Sequence, residues 1–207
     1  MNNALSAMAA LPILGWSVHA AALRHRLTQA RRDPLTHLPT RDQYTTHAAR
    51  LLRHQPALVV LIDLDRFKPL NDTHGHAAGD TALRQVAHRL ALWAQRDGLA
   101  ARLGGDEFTA ILPNPTDPRA ELAALHTALT RPIAHQEQWL DLGASIGGFL
   151  AAPGTPIGRA LSVADAAMYQ AKTCGGGWHL NSGEADPSRS IPRRWHRNHP
   201  APVKETA

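Results

Sequence analysis

The chain has 207 residues, a formal net charge of +5, a pI of about 10.1 and 43% hydrophobic residues, enough apolar material for one domain with a core plus extensions, so a wholly disordered chain is excluded. The basic balance suits phosphate-bearing ligands, an anionic membrane surface or nucleic acid, without choosing among them. The single cysteine, Cys174, excludes an intramolecular disulfide and a cysteine-based zinc cluster, and fits a reducing compartment.

The first segment, Ala4 to Leu23 (ALSAMAALPILGWSVHAAAL), is about as long as a membrane span. Pro12, Ser17 and His19 weaken its apolar character, and Arg24, Arg26, Arg31 and Arg32 follow at once. Basic residues on that flank would hold the C-terminal side in the cytoplasm, and charge after the apolar part argues against a signal peptide. A membrane anchor and an amphipathic helix packed on a partner both fit this segment. Pro34 and Pro39 then prevent a continuous helix. Thr40 with Gln43 is a capping-box pattern and predicts a helix from Arg41 toward Arg53. ALVVLIDLD, residues 57–65, predicts a buried central strand. Asp80 reads as the cap of a second helix with Leu83, Val86, Leu90 and Trp93 at helical spacing. Gly104-Gly105 predicts a two-residue hairpin turn between two short strands. An amphipathic helix with Leu122, Leu125 and Leu129 on one face follows, then a strand-like run, WLDLGASIGGFLAA. IGRALSVADAAMYQAK predicts a last helix stopped by Gly175, Gly176 and Gly177, and WHL a short edge strand. From Asn181 onward the Pro, Ser, Arg and His content predicts a disordered basic tail. Together these elements predict an α+β domain around a mixed sheet, with an N-terminal helix.

The acidic residues carry the chemistry. A strand's side-chain period of two puts Asp63 and Asp65 on one side if the strand runs through both. Two acids at the end of an apolar strand are costly unless something neutralises them, and a hard divalent cation would do so. The rival reading, capping of a helix near Arg66, suits Asp65 but not Asp63. Asp106 would bring a second acidic arm to the same ion, and Gly104 and Gly105 would let a phosphate or base approach the backbone. Lys68 supplies a cation for a polyphosphate, while Asn71 and Asp80 offer the donor–acceptor mix that a guanine edge requires. His74 and His76 flank Gly75 and read as loop residues rather than metal ligands.

Five motifs stand in order: DPLTHLPTR, DLDRFKPLNDTHGHAAGD, RLGGDEF, ASIGG and ADAAMYQAK. In that order they resemble the GGDEF domain, the bacterial diguanylate cyclase family, over Asp33 to Leu180. The resemblance implies a mainly antiparallel sheet flanked by helices, like a nucleotidyl cyclase or polymerase palm. It divides the chain into an N-terminal hydrophobic helix and linker (1–32), a GGDEF domain (33–180) and a tail (181–207). It further implies magnesium, with manganese able to substitute, at Asp63, the Leu64 carbonyl and Asp106. Asp106 matches the general base, and Glu107 a helper at the second metal or the guanine. Substrate contacts fall on Phe67, Lys68, Asn71, Asp80, Gly104, Gly105 and Lys172. The implied reaction joins two GTP molecules into cyclic di-GMP across a homodimer. It places the catalytic domain in the bacterial cytoplasm, with residues 4–23 as a candidate anchor at the inner face of the membrane.

The chain departs from that pattern. The Arg-x-x-Asp inhibitory motif falls on Gln95 and Gly98, with Arg96 and Asp97 out of register, so no inhibitory site is expected. The arginine usual four residues after Lys172 is replaced by Gly176, which predicts weaker GTP binding. His37 stands where glycine is common and Thr40 where asparagine is common. A rival function is a GTP-binding regulatory module without turnover, favoured by Gly176. A nucleic-acid-binding role, suggested by the pI and the IPRRWHRNHP tail, lacks a matching fold signature, and no nucleic-acid partner is expected.

Overall fold

The computed structural model describes residues 32–94 and 97–181. Helix α1 (Arg41–Leu51) precedes strand β1 (Ala57–Asp65), and the short helix α2 (Phe67–His74) turns into the long helix α3 (His76–Ala94). Strands β2 (Leu99–Gly104) and β3 (Glu107–Pro113) follow, then α4 (Pro118–Leu129). The hairpin β4 (Ile133–His135) and β5 (Gln138–Leu140) leads to β6 (Gly143–Ala151), α5 (Ile157–Thr173) and β7 (Gly177–Asn181).

The main sheet has the order β2-β3-β1-β6-β7. Its pairs are antiparallel except β6–β7, which is parallel. This is the expected α+β architecture with a mixed, mainly antiparallel sheet. β1 lies at its centre, and every residue from Ala57 to Leu64 is buried, as a β-branched, apolar run flanked on both sides demands. Alternation splits β1 between two cores. Leu58, Val60, Ile62 and Leu64 pack with Leu83, Val86 and Leu90 of α3 and Leu122, Leu125 and Leu129 of α4. Val59 and Leu61 pack with Tyr44 and Ala48 of α1 and Ala164 and Met168 of α5. Each fully buried branched side chain stabilises by roughly 1.5–3 kcal/mol. Helix α5 sits unusually close to the sheet: a Cβ on Gly147 of β6 would lie 2.0 Å from the Ala164 carbonyl oxygen and 2.1 Å from the Met168 nitrogen. That contact sets how far the end of α5 reaches over β1.

Several local expectations are corrected. Thr40 occupies the N-cap of α1 but makes no side-chain capping bond, and Gln43 Oε1 is buried without a hydrogen-bond partner, so the capping box does not form. α3 begins at His76, which places Asp80 inside its first turns; the carboxylate faces Arg84 one turn on, at 3.7 Å. Gly104 pairs with Glu107 as the last residue of β2, after a register shift between Arg102 and Gly104, so the two turn residues are Gly105 and Asp106. The run from Trp139 is broken, because β5 ends at Leu140 and β6 starts at Gly143. The expected WHL edge strand is β7, at the sheet's margin. Apart from Arg32, bridged to Pro39, and Asn181, which ends β7 rather than opening the tail, the segments expected to form the N-terminal hydrophobic helix and the basic tail lie outside the described residues, and no helix among the described residues is long and apolar enough to cross a membrane.

Candidate active site

β1 does run through both aspartates, and its register shows where they go. Asp63 stands directly opposite Glu107 on β3 and Ser145 on β6, so all three share the face covered by α1 and α5. Like charges directly opposite each other destabilise a sheet unless a cation intervenes. One cation comes from α5: Lys172 Nζ donates to Asp63 Oδ1 at 2.7 Å. The Asp63 side chain is 10% exposed and the Lys172 side chain 51%, so the ammonium reaches in from solvent to a nearly buried carboxylate. Asp65 has a different partner, accepting from Ser145 Oγ at 2.7 Å. It does not cap the following helix, whose N-cap is Arg66, at φ 54° and without a side-chain capping bond.

The hairpin tip lies against the end of β1. Gly105 takes φ 56°, a left-handed conformation that glycine adopts without strain, and the next carbonyl, that of Asp106, accepts from Leu64 N at 3.3 Å. The acid of the turn is therefore tied by its own backbone to the residue after Asp63. A Cβ on Gly104 or Gly105 would meet nothing within 4 Å, so both glycines front open space. Arg102 grips the turn from behind. Its Nε and Nη2 donate to the Gly105 carbonyl at 3.0 and 2.7 Å, and its Nη1 to Asp33 Oδ1 at 2.9 Å. Asp33 also accepts from Thr36 N at 2.8 Å and Thr36 Oγ1 at 2.7 Å. Burial pushes the Asp33 carboxyl up, but the bonds from Thr36 and Arg102 outweigh it and hold the group below the usual aspartate range. Sequence reasoning missed Arg102; its signal was an arginine two residues ahead of the paired glycines.

Glu107 turns toward a cavity that it lines with Arg41 of α1, Asp165 and Met168 of α5, and Leu103. Arg41 is the cation of this lining and Glu107 and Asp165 are its acids. Phe67 and Asn71 lie one turn apart on α2, facing the start of α3, and Lys68 between them is exposed. Among the described residues no group of three or more His, Cys, Asp and Glu side chains is gathered to hold a metal, and His74 and His76 are exposed. The set formed by Asp63, Asp106 and a main-chain carbonyl is still a fit for a hard ion. It offers oxygen donors alone, and the nearly buried Asp63 carboxylate already draws in a cation, the Lys172 ammonium at 2.7 Å. Magnesium typically accepts one or two protein carboxylates and completes its shell with water and substrate phosphates.

The profile of the family described as "Diguanylate cyclase, GGDEF domain" matches residues 30–177, more than half of the chain. The chain belongs to the GGDEF family. This GGDEF protein is 50% identical over 165 residues to an uncharacterized 19.3 kDa protein of Streptomyces ambofaciens, covering 78% of this chain and 89% of that one. It is 34% identical to the diguanylate cyclase DgcZ of Escherichia coli over 69% of this chain and 50% of that enzyme, so it spans only half of that relative. Among solved structures, it superposes on the coiled coil and GGDEF domain of DgcB from Caulobacter crescentus, crystallised with c-di-GMP. The TM-score is 0.76 at 25% identity, over 86% of this chain and all of that one. A sensory box/GGDEF family protein of Caulobacter crescentus gives a TM-score of 0.64 at 36% identity, over 70% of this chain and 99% of that one. The sheet order and flanking helices are thus those of the GGDEF fold.

Proposed function

We propose that this GGDEF domain condenses two GTP molecules into cyclic di-GMP, with magnesium and as a homodimer. The observation that carries the reading is the joint placement of Asp63, Lys172 and the Asp106 turn at the end of β1. Asp63, the Leu64 carbonyl and Asp106 would hold the ion, whose charge offsets the negative charge that grows at the α-phosphate. Asp106 takes the proton of one GTP's ribose 3′-hydroxyl. That oxygen forms a bond to the α-phosphorus of the other GTP as the bond to its pyrophosphate breaks. The same exchange in the other direction closes the ring and releases the second pyrophosphate. Lys172, at 2.7 Å from Asp63, is placed to move its charge from the carboxylate to an arriving phosphate, with Lys68 as a second cation. Gly104 and Gly105 leave room for the nucleotide, and Phe67, Asn71 and Asp80 would hold the guanine. Glu107, which lines a cavity with Arg41 and Asp165, would help bind a second metal or the guanine. Each protomer holds one GTP, so two sites must face each other about a two-fold axis for the hydroxyls to reach the phosphates. Residues 4–23 would tether the domain to the inner face of the membrane.

The deciding measurement is product formation. Protein incubated with GTP and magnesium, at concentrations that permit dimers, should yield cyclic di-GMP by mass spectrometry, and Asp106→Asn should yield none. Product that persists in the variant would overturn the site assignment. A second reading, a GTP-binding regulatory module, is favoured by Gly176, which leaves Lys172 without the arginine usual in the family. GTP binding with no product from the wild type would select it.

A further inference from the structure

We infer that Gly79 is a positioning residue for guanine selection, acting through Asn71; the inference rests on the nucleotide site proposed above. Gly79 lies buried in the first turn of α3, among Ala77, Ala78 and Ala82. Glycine is the poorest helix former after proline, and alanine is the natural occupant of such a position. Conformation does not explain the glycine, because its φ is outside the left-handed region. Space does. A Cβ at Gly79 would lie 2.0 Å from Asn71 Oδ1, 2.9 Å from Asn71 Cγ and 3.2 Å from Phe67 Cζ. The Asn71 amide therefore rests on the bare backbone of α3, with the Phe67 ring beside it.

That seat matters because of what adjoins it. Asp80 follows Gly79 directly, so the amide is held against the same helical turn that carries the Asp80 carboxylate. A guanine edge offers N–H donors at N1 and N2 and acceptors at O6 and N7, and it needs an acceptor-only group and a donor–acceptor group in fixed relation. Adenine presents a different order of donors and acceptors. Asn71 satisfies guanine only while its amide plane is held, and nothing else within the described contacts fixes its side chain by a hydrogen bond. The clashing atoms are the far end of a flexible side chain, so a methyl group at position 79 would displace the amide and leave the fold intact.

The test uses the full chain and nucleotides unable to react, 3′-deoxy-GTP and 3′-deoxy-ATP with magnesium, with melting temperature read in parallel. Gly79→Ala should melt at or above the wild type, bind 3′-deoxy-ATP unchanged and bind 3′-deoxy-GTP roughly tenfold more weakly, the loss of one hydrogen bond to the base. Asn71→Ala should lose the same preference, and Gly79→Ala/Asn71→Ala should be no weaker than Asn71→Ala alone. Wild-type guanine preference in Gly79→Ala, or additive losses in the double variant, would overturn the inference. Should Gly79→Ala melt well below the wild type, Gly79→Ala/Asn71→Ser decides. Recovered melting without guanine preference supports the contact, and melting still depressed assigns Gly79 to packing and overturns it. A wild type that does not prefer 3′-deoxy-GTP would refute the proposed function itself, a result distinct from an unchanged Gly79→Ala.

Discussion

Arg102→Ala tests whether the catalytic turn is held from behind. Arg102 joins three parts of the chain: the Gly105 carbonyl at the turn, Asp33 in the segment that enters the domain, and β2 itself. Its side chain is 12% exposed and that of Asp33 19%, so this pair is better shielded than an ordinary surface ion pair, which contributes at most about 1 kcal/mol. Hydrogen bonds to charged groups contribute about 1.5–3 kcal/mol each, but the two bonds to Gly105 share one acceptor and Asp33 keeps Thr36. The expected loss is therefore about 2–3 kcal/mol. At 2–4 °C per kcal/mol for a chain of this size, the melting temperature should fall by roughly 5–10 °C. Arg102→Lys should recover only part of it, because a single ammonium cannot fork between the carbonyl and the carboxylate.

The pH dependence has a definite sign. The folded-state pKa of Asp33 lies below its unfolded value of 3.8, so its contribution is fully present above that value. It is lost as pH falls through the lowered folded pKa. The gap in urea stability between wild type and Asp33→Ala should thus be constant from neutral pH to about pH 5 and close in stronger acid. Asp33→Ala/Arg102→Ala should cost less than the sum of the single variants. Arg102→Ala within about 0.5 kcal/mol of the wild type, or strictly additive losses, would refute the clamp.

Three further predictions follow from single positions. His37 is exposed and held at φ 58°, where a non-glycine residue loses about 1–2 kcal/mol, so His37→Gly should gain up to about 1 kcal/mol in urea unfolding after the extra chain entropy of glycine is offset. Lys172→Met leaves Asp63 facing Glu107 without its cation; the half-exposed ammonium keeps the loss to about 1–2 kcal/mol, and added magnesium should raise the melting temperature of the variant more than that of the wild type. A Cβ at Gly98 would lie 2.4 Å from the carbonyl oxygens of both Ala94 and Ile111, so Gly98→Asp should cost about 3 kcal/mol in urea unfolding.

What could be read from the amino acids was set by local pattern. β1 is legible because a nine-residue run of apolar residues and a terminal pair of acids admits one strand and one face for both aspartates. α5 is legible from its period and its three terminal glycines. The hairpin turn was displaced by one residue because the register shift after Arg102 absorbs Leu103, and a bulge has no signature in a short strand. Asp80 read as a cap because α2 and α3 are separated only by Gly75, and the helical period alone does not show where the second begins. Contacts across the chain were out of reach. Lys172 and Asp63 are 109 residues apart and meet because α5 settles onto Gly147, and Arg102 and Asp33 are 69 apart.

The same geometry decides whether the missing arginine could simply be put back. Gly176 sits at φ 105°, between Gly175 at 94° and Gly177 at 98°, so the turn after α5 takes a path that side chains rarely adopt. A Cβ at Gly176 would lie 2.9 Å from Asp65 Oδ2, while Asp65 Oδ1 is committed to Ser145. An arginine there meets strain of about 1–3 kcal/mol and, next to its own Cβ, a carboxylate that competes with any phosphate for the guanidinium. Gly176→Arg should therefore lower the melting temperature by roughly 5 °C and leave the KM for GTP within about twofold of the wild type. Asp65→Asn/Gly176→Arg, with the competing charge removed, should bind GTP more tightly than Gly176→Arg. A tenfold drop in KM from Gly176→Arg alone, at an unchanged melting temperature, would show that the turn re-forms freely and that Asp65 does not hold it.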